Sequence, residues 1–141
     1  MPRQSITKKS TNKRKKIMRR WIPYVVIAII IIAAWFIIAP PRIWLNMTKS
    51  VEPTAQMGEQ LVAEYGCRGC HRIGGEGAIK ATDLTGITQR VADPALVPLR
   101  LWLQNPKGVK PNTAMPNFHL SDSEIDAILA YLVQADAAAA N

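Results

Sequence analysis

The chain has 141 residues, a pI near 9.9 and a formal net charge of +8. Nine of its 18 basic residues lie within residues 1–20, which hold no Asp or Glu, so residues 21–141 carry nine basic and ten acidic side chains, a net charge of −1. A nucleic-acid-binding domain needs a positive field on its folded part, and this distribution excludes that class outside the tail. The length allows one ordinary domain.

The basic tail of residues 1–20 is predicted to be unstructured. A hydrophobic segment follows it. Nineteen uncharged residues run from Trp21 to Ala39, and as a helix they span about 28 Å, close to the thickness of a bilayer core. They predict a transmembrane helix over residues 21–39, ended by Pro40 and Pro41. The positive-inside rule then places the N-terminus in the cytoplasm of a single-pass cell-membrane protein and the later residues outside, in the periplasm or its equivalent.

A cleaved signal peptide is the alternative interpretation of this segment. The apolar run is longer than an h-region of about 7–15 residues, and no A-x-A site precedes the prolines. An uncleaved anchor is therefore favoured. Residues 40–53 are predicted to form a short stalk with interfacial Ile43, Trp44 and Leu45, residues 54–135 a soluble domain, and residues 136–141 an Ala-rich frayed tail.

The soluble domain is predicted to be all-α. Thr54–Tyr65 shows helical spacing, a weaker helix is expected at Pro98–Asn105, and Ser121 to Glu124 forms a capping box before a final amphipathic helix of about fourteen residues. No segment alternates with period two. About 80 residues bury only a modest core, so a large apolar cofactor at the centre would add to its stability.

The chemistry of the domain is indicated by Cys67-Arg68-Gly69-Cys70-His71, which contains both cysteines of the chain. On a helix the offsets 0, 3 and 4 fall on one face, so two thiols point toward the vinyl groups of a haem and one imidazole toward its iron. This is the motif for covalent haem c attachment. A zinc site would have only His119 as a further His or Cys ligand, and a redox dithiol or a disulfide lacks a suitable fold or geometry.

The second axial position of such a haem has few candidates. Met115 lies in a loop stiffened by Pro111 and Pro116, which suits a weak thioether bond because little entropy is lost on binding. His119 and an open site are the alternatives. With His71 and Met115 both bound as metal ligands, the iron has no position for a substrate.

The domain resembles class I, mitochondrial-type cytochromes c over residues 54–135. The resemblance rests on the haem motif and on three further stretches: Trp102 to Pro106, Lys110 to Met115, and Ile128 to Leu132. It implies one covalent haem c, a first and a last helix that cross at Gly58 and Tyr131, and an aromatic wall of the haem crevice at Trp102. It also implies a hydroxyl at Thr113 that bonds a haem propionate.

One departure from the family concerns the partner of the ligand imidazole. The family usually has Gly-Pro where this chain has Ala81 and Thr82, followed by Asp83 and Leu84. In the family a carbonyl at that place accepts the hydrogen bond of the imidazole. The missing proline leaves the acceptor for His71 unidentified, although any backbone carbonyl would serve.

A narrower resemblance points to a membrane-anchored form. His71 to Ala78, Asp83 to Thr85 and Ala114 to Ser121 are similar to the membrane-anchored cytochrome component of nitric oxide reductases, and similar modules occur in other respiratory and photosynthetic complexes. Together with the occupied coordination of the iron, the apolar span and the near-neutral domain, it predicts a membrane-tethered mono-haem electron carrier rather than an enzyme. The expected partners are the lipid bilayer and redox proteins, with no nucleic acid and no small-molecule substrate.

Alternatives to a free tethered shuttle are also open at the level of the sequence. A permanent electron-entry subunit of an oxidoreductase is one, although the uniformly apolar span slightly favours the shuttle. A haem enzyme would require Met115 to leave the iron. A gas or redox sensor would have to signal through the basic tail, which offers no evident output domain.

Overall fold

The computed structural model describes residues 6–140, with side chains from Arg20 onward. The first five residues of the predicted basic tail and Asn141 of the Ala-rich tail lie outside the described residues. The chain divides into two units, Met1–Pro41 and Arg42–Asn141.

The first unit contains one long helix, α1 (Ile6–Ile38). Its segment Arg20–Ile38 has a mean hydropathy of 2.7 and is long and apolar enough to cross a membrane. The helix ends just before Pro40 and Pro41, as expected for residues that cannot continue it. It begins at Ile6, so the basic segment is helical over most of its length rather than unstructured.

The second unit is mostly helical, which confirms the predicted all-α class. Its helices are α2 (Arg42–Thr48), α3 (Ala55–Glu64), α4 (Ile87–Arg90), α5 (Val97–Gln104), α6 (Pro106–Val109) and α7 (Asp122–Ala139), with a 3₁₀ turn at Cys67–Gly69. Two-residue strands, β1 (Arg72–Ile73) and β2 (Glu76–Gly77), pair antiparallel. This small hairpin was not predicted; it turns at Gly74 and Gly75, whose φ angles of 59° and 85° suit a tight primed turn.

Helices α3 and α7 cross at Gly58. A Cβ at this position would lie 2.0 Å from the carbonyl oxygen of Ala127 and 2.7 Å from Cβ of Tyr131. Only glycine allows the two backbones to approach so closely. The crossing at Gly58 and Tyr131 implied by the family resemblance is therefore present in the structure.

Helix α7 begins with the predicted capping box. The Ser121 hydroxyl accepts from the Glu124 N–H (3.2 Å), and the Glu124 carboxylate accepts from the Ser121 N–H (2.7 Å). The helix has 18 residues, more than the fourteen expected, because it continues through the Ala-rich segment to Ala139. The side chains that α7 buries join those of α3 and of the hairpin in the core: Leu61, Val62, Ile73, Leu120, Ile125, Ile128, Leu129 and Leu132.

The segment predicted as a stalk differs from the expectation. Residues 42–48 form helix α2, and Leu45, predicted to be interfacial, is buried at 6% exposure. The hydroxyl of Ser121 donates to the carbonyl of Lys49 (2.7 Å), and the N–H of Val51 donates to the hydroxyl of Ser123 (3.1 Å). Residues 42–51 are thus bonded to the start of α7 rather than free of the domain.

Candidate cofactor site

The two cysteines lie on a single tight turn. After α3 ends, Gly66 adopts a left-handed conformation (φ 64°) and the 3₁₀ turn Cys67–Gly69 begins. The N–H groups of Cys70 (3.2 Å) and His71 (2.9 Å) both donate to the carbonyl of Cys67. The motif therefore lies on a 3₁₀ turn instead of the α-helix assumed from the sequence, and residues three apart on such a turn still share a side.

Both thiols are free, and they differ in exposure. Cys67 is half-buried against the core and Cys70 is exposed. Burial raises the pKa of the Cys67 thiol, which keeps it protonated at neutral pH. Within residues 20–140, no three His, Cys, Asp or Glu side chains are grouped as a bound metal ion would need.

The imidazole of His71 has a defined partner. Its Nδ1 lies 2.7 Å from the backbone carbonyl oxygen of Thr82. A carbonyl can only accept a hydrogen bond, so Nδ1 carries the proton and Nε2 of the neutral ring has a free lone pair. Thr82 thus supplies the acceptor that the sequence left unidentified, and the missing proline does not prevent the bond.

The loop that contains Thr82 is held by a buried carboxylate. Asp136 of α7 is 2% exposed. It accepts from the N–H of Gly86 (2.6 Å), the N–H of Thr88 (2.9 Å) and the Thr88 hydroxyl (2.7 Å). This residue was missed at the level of the sequence, yet a signal was present: Asp136 follows Leu132 by four residues and so extends the apolar stripe of α7 with a charge.

A guanidinium group completes this support. Arg90 donates to the carbonyl oxygens of Thr85 (2.8 Å) and Asp83 (2.7 Å). The Asp83 carboxylate in turn accepts from the N–H of Thr85 (2.9 Å). The bonds from Asp136 and Arg90 therefore restrain this loop, which lacks the proline usual in the family.

Three of the predicted site residues meet at Met115. The indole N–H of Trp102 donates to the sulfur of Met115 (3.1 Å), and the N–H of Met115 donates to the hydroxyl of Thr113 (3.3 Å). All three side chains are half-buried. The Thr113 hydroxyl keeps its own proton to donate elsewhere, and the thioether keeps a second lone pair.

His119, the alternative second ligand, is half-buried and has an unusual backbone. Its φ is 50°, its N–H donates to the Asn117 side chain (2.9 Å), and its carbonyl accepts from Lys49 (3.4 Å). These contacts hold its backbone between the Met115 loop and α7.

Comparison with known proteins identifies the family of this domain. A family model for cytochrome c matches residues 55–136. The chain belongs to the cytochrome c family. Cytochrome c domains bind haem c, and the donors present here fit that group: two free thiols on one turn, an imidazole with Nε2 available, and a thioether held by an indole. Among the apolar side chains that pack on the core with part of their surface exposed are Leu84, Val91, Leu99 and Leu103.

Three relatives of this cytochrome c domain are similar at about the same level. They are cytochrome c oxidase subunit 2 of Alkalihalophilus pseudofirmus (30% identical over 62% of this chain and 27% of that protein), the C subunit of nitric oxide reductase from Paracoccus denitrificans (30%, over 61% and 65%), and the same component of nitric oxide reductase from Stutzerimonas stutzeri (32%, over 53% of each). The alignments cover less than two thirds of each relative's own length.

Proposed function

We propose that the protein is a membrane-tethered mono-haem c-type cytochrome that transfers single electrons between components of a respiratory or photosynthetic chain. The observation that carries the proposal is that His71 and Met115 are each held by a neighbouring group, the Thr82 carbonyl and the Trp102 indole. Ligands fixed in this way suit a centre that changes oxidation state without changing shape.

Cys67 and Cys70 would hold the cofactor covalently, because each thiol can add across a vinyl group of a haem to form a thioether bond. Bound haem c supplies a one-electron Fe(III)/Fe(II) couple. On one side His71 presents Nε2, because its Nδ1–H is engaged with Thr82. This bond fixes the plane of the ring and makes its ligand nitrogen more basic.

On the other side Met115 presents its sulfur. The Trp102 N–H occupies one lone pair of the thioether and orients the side chain. The Thr113 hydroxyl accepts from the backbone N–H of Met115, and it would have its own proton to donate to a haem propionate. If both residues bound the iron, no position would be left for a substrate, so the residues support an electron carrier rather than a catalyst. A thioether ligand also favours a relatively high potential.

The helix Arg20–Ile38 would anchor this carrier in the membrane, with the basic tail in the cytoplasm and the haem domain outside. A tethered carrier meets its partners at an effective concentration set by the membrane rather than by diffusion through the surrounding compartment. The composition of the span and the similarity to subunits of membrane oxidoreductases support this location.

The ligand assignment is tested by the absorption spectrum of the oxidised, haem-loaded chain. We expect the weak long-wavelength band of sulfur-to-iron coordination. The Met115→Ala variant should lose this band and have a lower reduction potential, and Met115→His, which keeps a ligand, should also lose the band while staying low-spin. Met57→Leu is the matched control, since it removes another half-buried methionine of the domain and should leave the band intact.

High-spin bands in the native chain would contradict the carrier function, because they would show an open axial position. A native spectrum that is low-spin, lacks the sulfur band and is unchanged in both Met115 variants would transfer the ligand role to His119. A sulfur band that persists in both variants would transfer it to another methionine.

A second candidate is a permanent electron-entry subunit of a nitric oxide reductase, a haem-copper oxidase or a quinol-oxidising complex. The names of the relatives, each a subunit of an oxidase or a reductase, favour it. Purification of the intact chain in mild detergent separates the two functions. Stoichiometric copper-haem or quinol-oxidising proteins would establish the permanent subunit, and a lone haem-loaded chain would establish the shuttle.

A further inference from the structure

Helix α2 exposes an apolar surface, the α2 outer face, which consists of Ile43, Trp44 and Met47. Ile43 and Met47 are each 76% exposed and Trp44 is 53% exposed. At 3.6 residues per turn these three side chains fall within an arc of about 100°. Helix α2 contains no acidic residue.

The opposite side of α2 is fastened to the haem domain. Leu45 is buried, the guanidinium of Arg42 bonds the carboxylate of Asp122, and the Asn46 amide donates to that carboxylate (2.5 Å). The Asn46 side-chain oxygen also accepts from the N–H of Asp122 (2.9 Å). Helix α2 cannot turn its outer face toward the core without breaking this set of bonds.

The bonds from Arg42 and Asn46 to the Asp122 carboxylate persist at neutral pH. The hydrogen bonds from Asn46 and Arg42 keep the pKa of the Asp122 carboxyl below its usual range, so the carboxylate is charged in all but acidic solution. The outer face of α2 therefore stays directed away from the domain under the conditions in which a cytochrome works.

The chain length places this face close to a membrane. Helix α1 ends at Ile38 and α2 begins at Arg42, and four residue steps span at most about 14 Å. The headgroup layer on each side of a bilayer is about 5–8 Å thick. If α1 crosses the membrane, α2 begins in or beside that layer. An amphipathic helix there places its apolar and aromatic side chains among the lipids and its polar face in water.

The size of the surface distinguishes lipid from a protein partner. A stable protein interface buries more than about 1,000 Å² in total, and three side chains supply only a fraction of that. Insertion into a headgroup layer has no such minimum, since binding there grows with whatever apolar area is buried.

We propose that the α2 outer face inserts into the lipid headgroup region and holds the haem domain against the membrane in a restricted orientation. The inference rests on the proposed membrane anchor. The segment 42–51 is then a second, interfacial contact instead of a free tether. A redox partner must present its own site at the membrane surface, within reach of a domain that does not swing freely.

The test uses the haem-loaded full chain with one added thiol. Haem attachment consumes Cys67 and Cys70, so Met47→Cys carries a unique site for a nitroxide spin label, and Gln60→Cys on the exposed side of α3 is the matched control. Both are placed in vesicles of phosphatidylcholine and phosphatidylglycerol. We expect the ratio of collisions with oxygen to collisions with a water-soluble nickel chelate to be several-fold higher at position 47 than at position 60.

Equal ratios at the two positions would overturn the inference, because position 47 would then lie in water. Protection from both oxygen and nickel would overturn it as well, since a second copy or another protein would cover the face. Release of the chain from the vesicles by alkaline carbonate would overturn the membrane anchor itself, and the inference with it.

A second measurement reads the orientation of the domain. In aligned membranes the haem band of the native chain should show linear dichroism. The double variant Ile43→Ser, Met47→Ser should lose most of it, while Ile79→Ser, which removes another exposed apolar side chain of the same domain, should keep it. Full dichroism in the double variant would show that α2 does not orient the haem.

Discussion

The buried side chain of Asp136 supports, from a distance, the imidazole of His71 that we propose as a haem ligand. It does not touch His71; it bonds Gly86 and Thr88, and the loop before them presents the Thr82 carbonyl. A buried carboxylate with three donors is stable only while all of them are engaged. We therefore expect Asp136 to act as a positioning residue for the histidine side of the proposed site.

Replacement of Asp136 by Asn should loosen this loop. The new amide turns an N–H₂ group toward N–H donors, and leaving buried donors without acceptors costs about 1–3 kcal/mol of unfolding free energy. Because the loop then holds the Thr82 carbonyl less firmly, we also expect a shifted reduction potential. Urea unfolding and redox titration of the haem-loaded chain in mild detergent measure the two effects.

Asp126→Asn is the control on the same helix, because it removes only the partly exposed ion pair with Arg100, worth about 0–1 kcal/mol. A potential that is unchanged in Asp136→Asn would mean that the carboxylate stabilises the fold without positioning His71.

The hydroxyl of Tyr65 makes the stability of the domain depend on alkaline pH. It donates to Glu124 (2.8 Å) and accepts from Lys49 (3.2 Å). Burial, followed by the hydrogen bond to Glu124 and its negative charge, raises the pKa of Tyr65 well above its usual range. A raised folded-state pKa gives stability that is complete below the unfolded pKa of about 10 and is lost as the pH rises above it.

We therefore expect the unfolding free energy of the native chain to fall more steeply than that of Tyr65→Phe as the pH rises above about 10. Tyr65→Phe keeps the ring and removes only the hydroxyl, so the difference between the two curves reports on this hydroxyl and its bonds to Glu124 and Lys49. Parallel curves would contradict the raised pKa.

At the scale of elements, the crossing of α3 and α7 carries the core. Gly58→Ala tests it, and two effects oppose each other. Alanine in place of glycine stabilises a helix by about 0.5–1 kcal/mol, but the new Cβ would meet the backbone of Ala127, which has no flexible end to move. Overpacking of this kind costs about 1–3 kcal/mol, so we expect net destabilisation.

Urea unfolding measures the effect of Gly58→Ala, with Gln60→Ala on the exposed side of the same helix as the control. The control should change the unfolding free energy by less than about 0.5 kcal/mol. A variant Gly58→Ala as stable as the native chain would mean that α3 can shift away from α7 at little cost.

The elements that the sequence predicted well are those specified by local patterns. The capping box at Ser121 and the haem motif at Cys67 each fit within a few residues. The bond between Asp136 and Gly86 joins residues 50 apart, and no local pattern encodes it. Helix α2 was taken for a stalk because seven residues are too few to show a period, and the residue that its polar side chains bond, Asp122, lies 76–80 residues later.

At the scale of the whole molecule, the charge is distributed unevenly along the chain. Residues 1–20 contain nine basic residues and no acidic residue, and residues 21–141 are close to neutral. The high pI therefore describes the predicted topology, while the proposed redox chemistry belongs to a domain with a net charge near −1. A carrier of this kind has no overall charge with which to attract a distant partner, which agrees with confinement to a membrane surface.

The orientation in the membrane is open to a direct test. If the basic tail orients α1, replacement of the nine Lys and Arg residues before Trp21 by Gln should produce chains in both orientations, because Arg42 and Lys49 then carry the nearest positive charges, on the other side of the span. Exchange of each Lys for Arg and each Arg for Lys keeps the charge and is the matched control. Protease added to spheroplasts should digest the haem domain completely in the native chain and the control, and only in part in the Gln variant. Complete digestion of the Gln variant would show that another feature of the chain sets its direction.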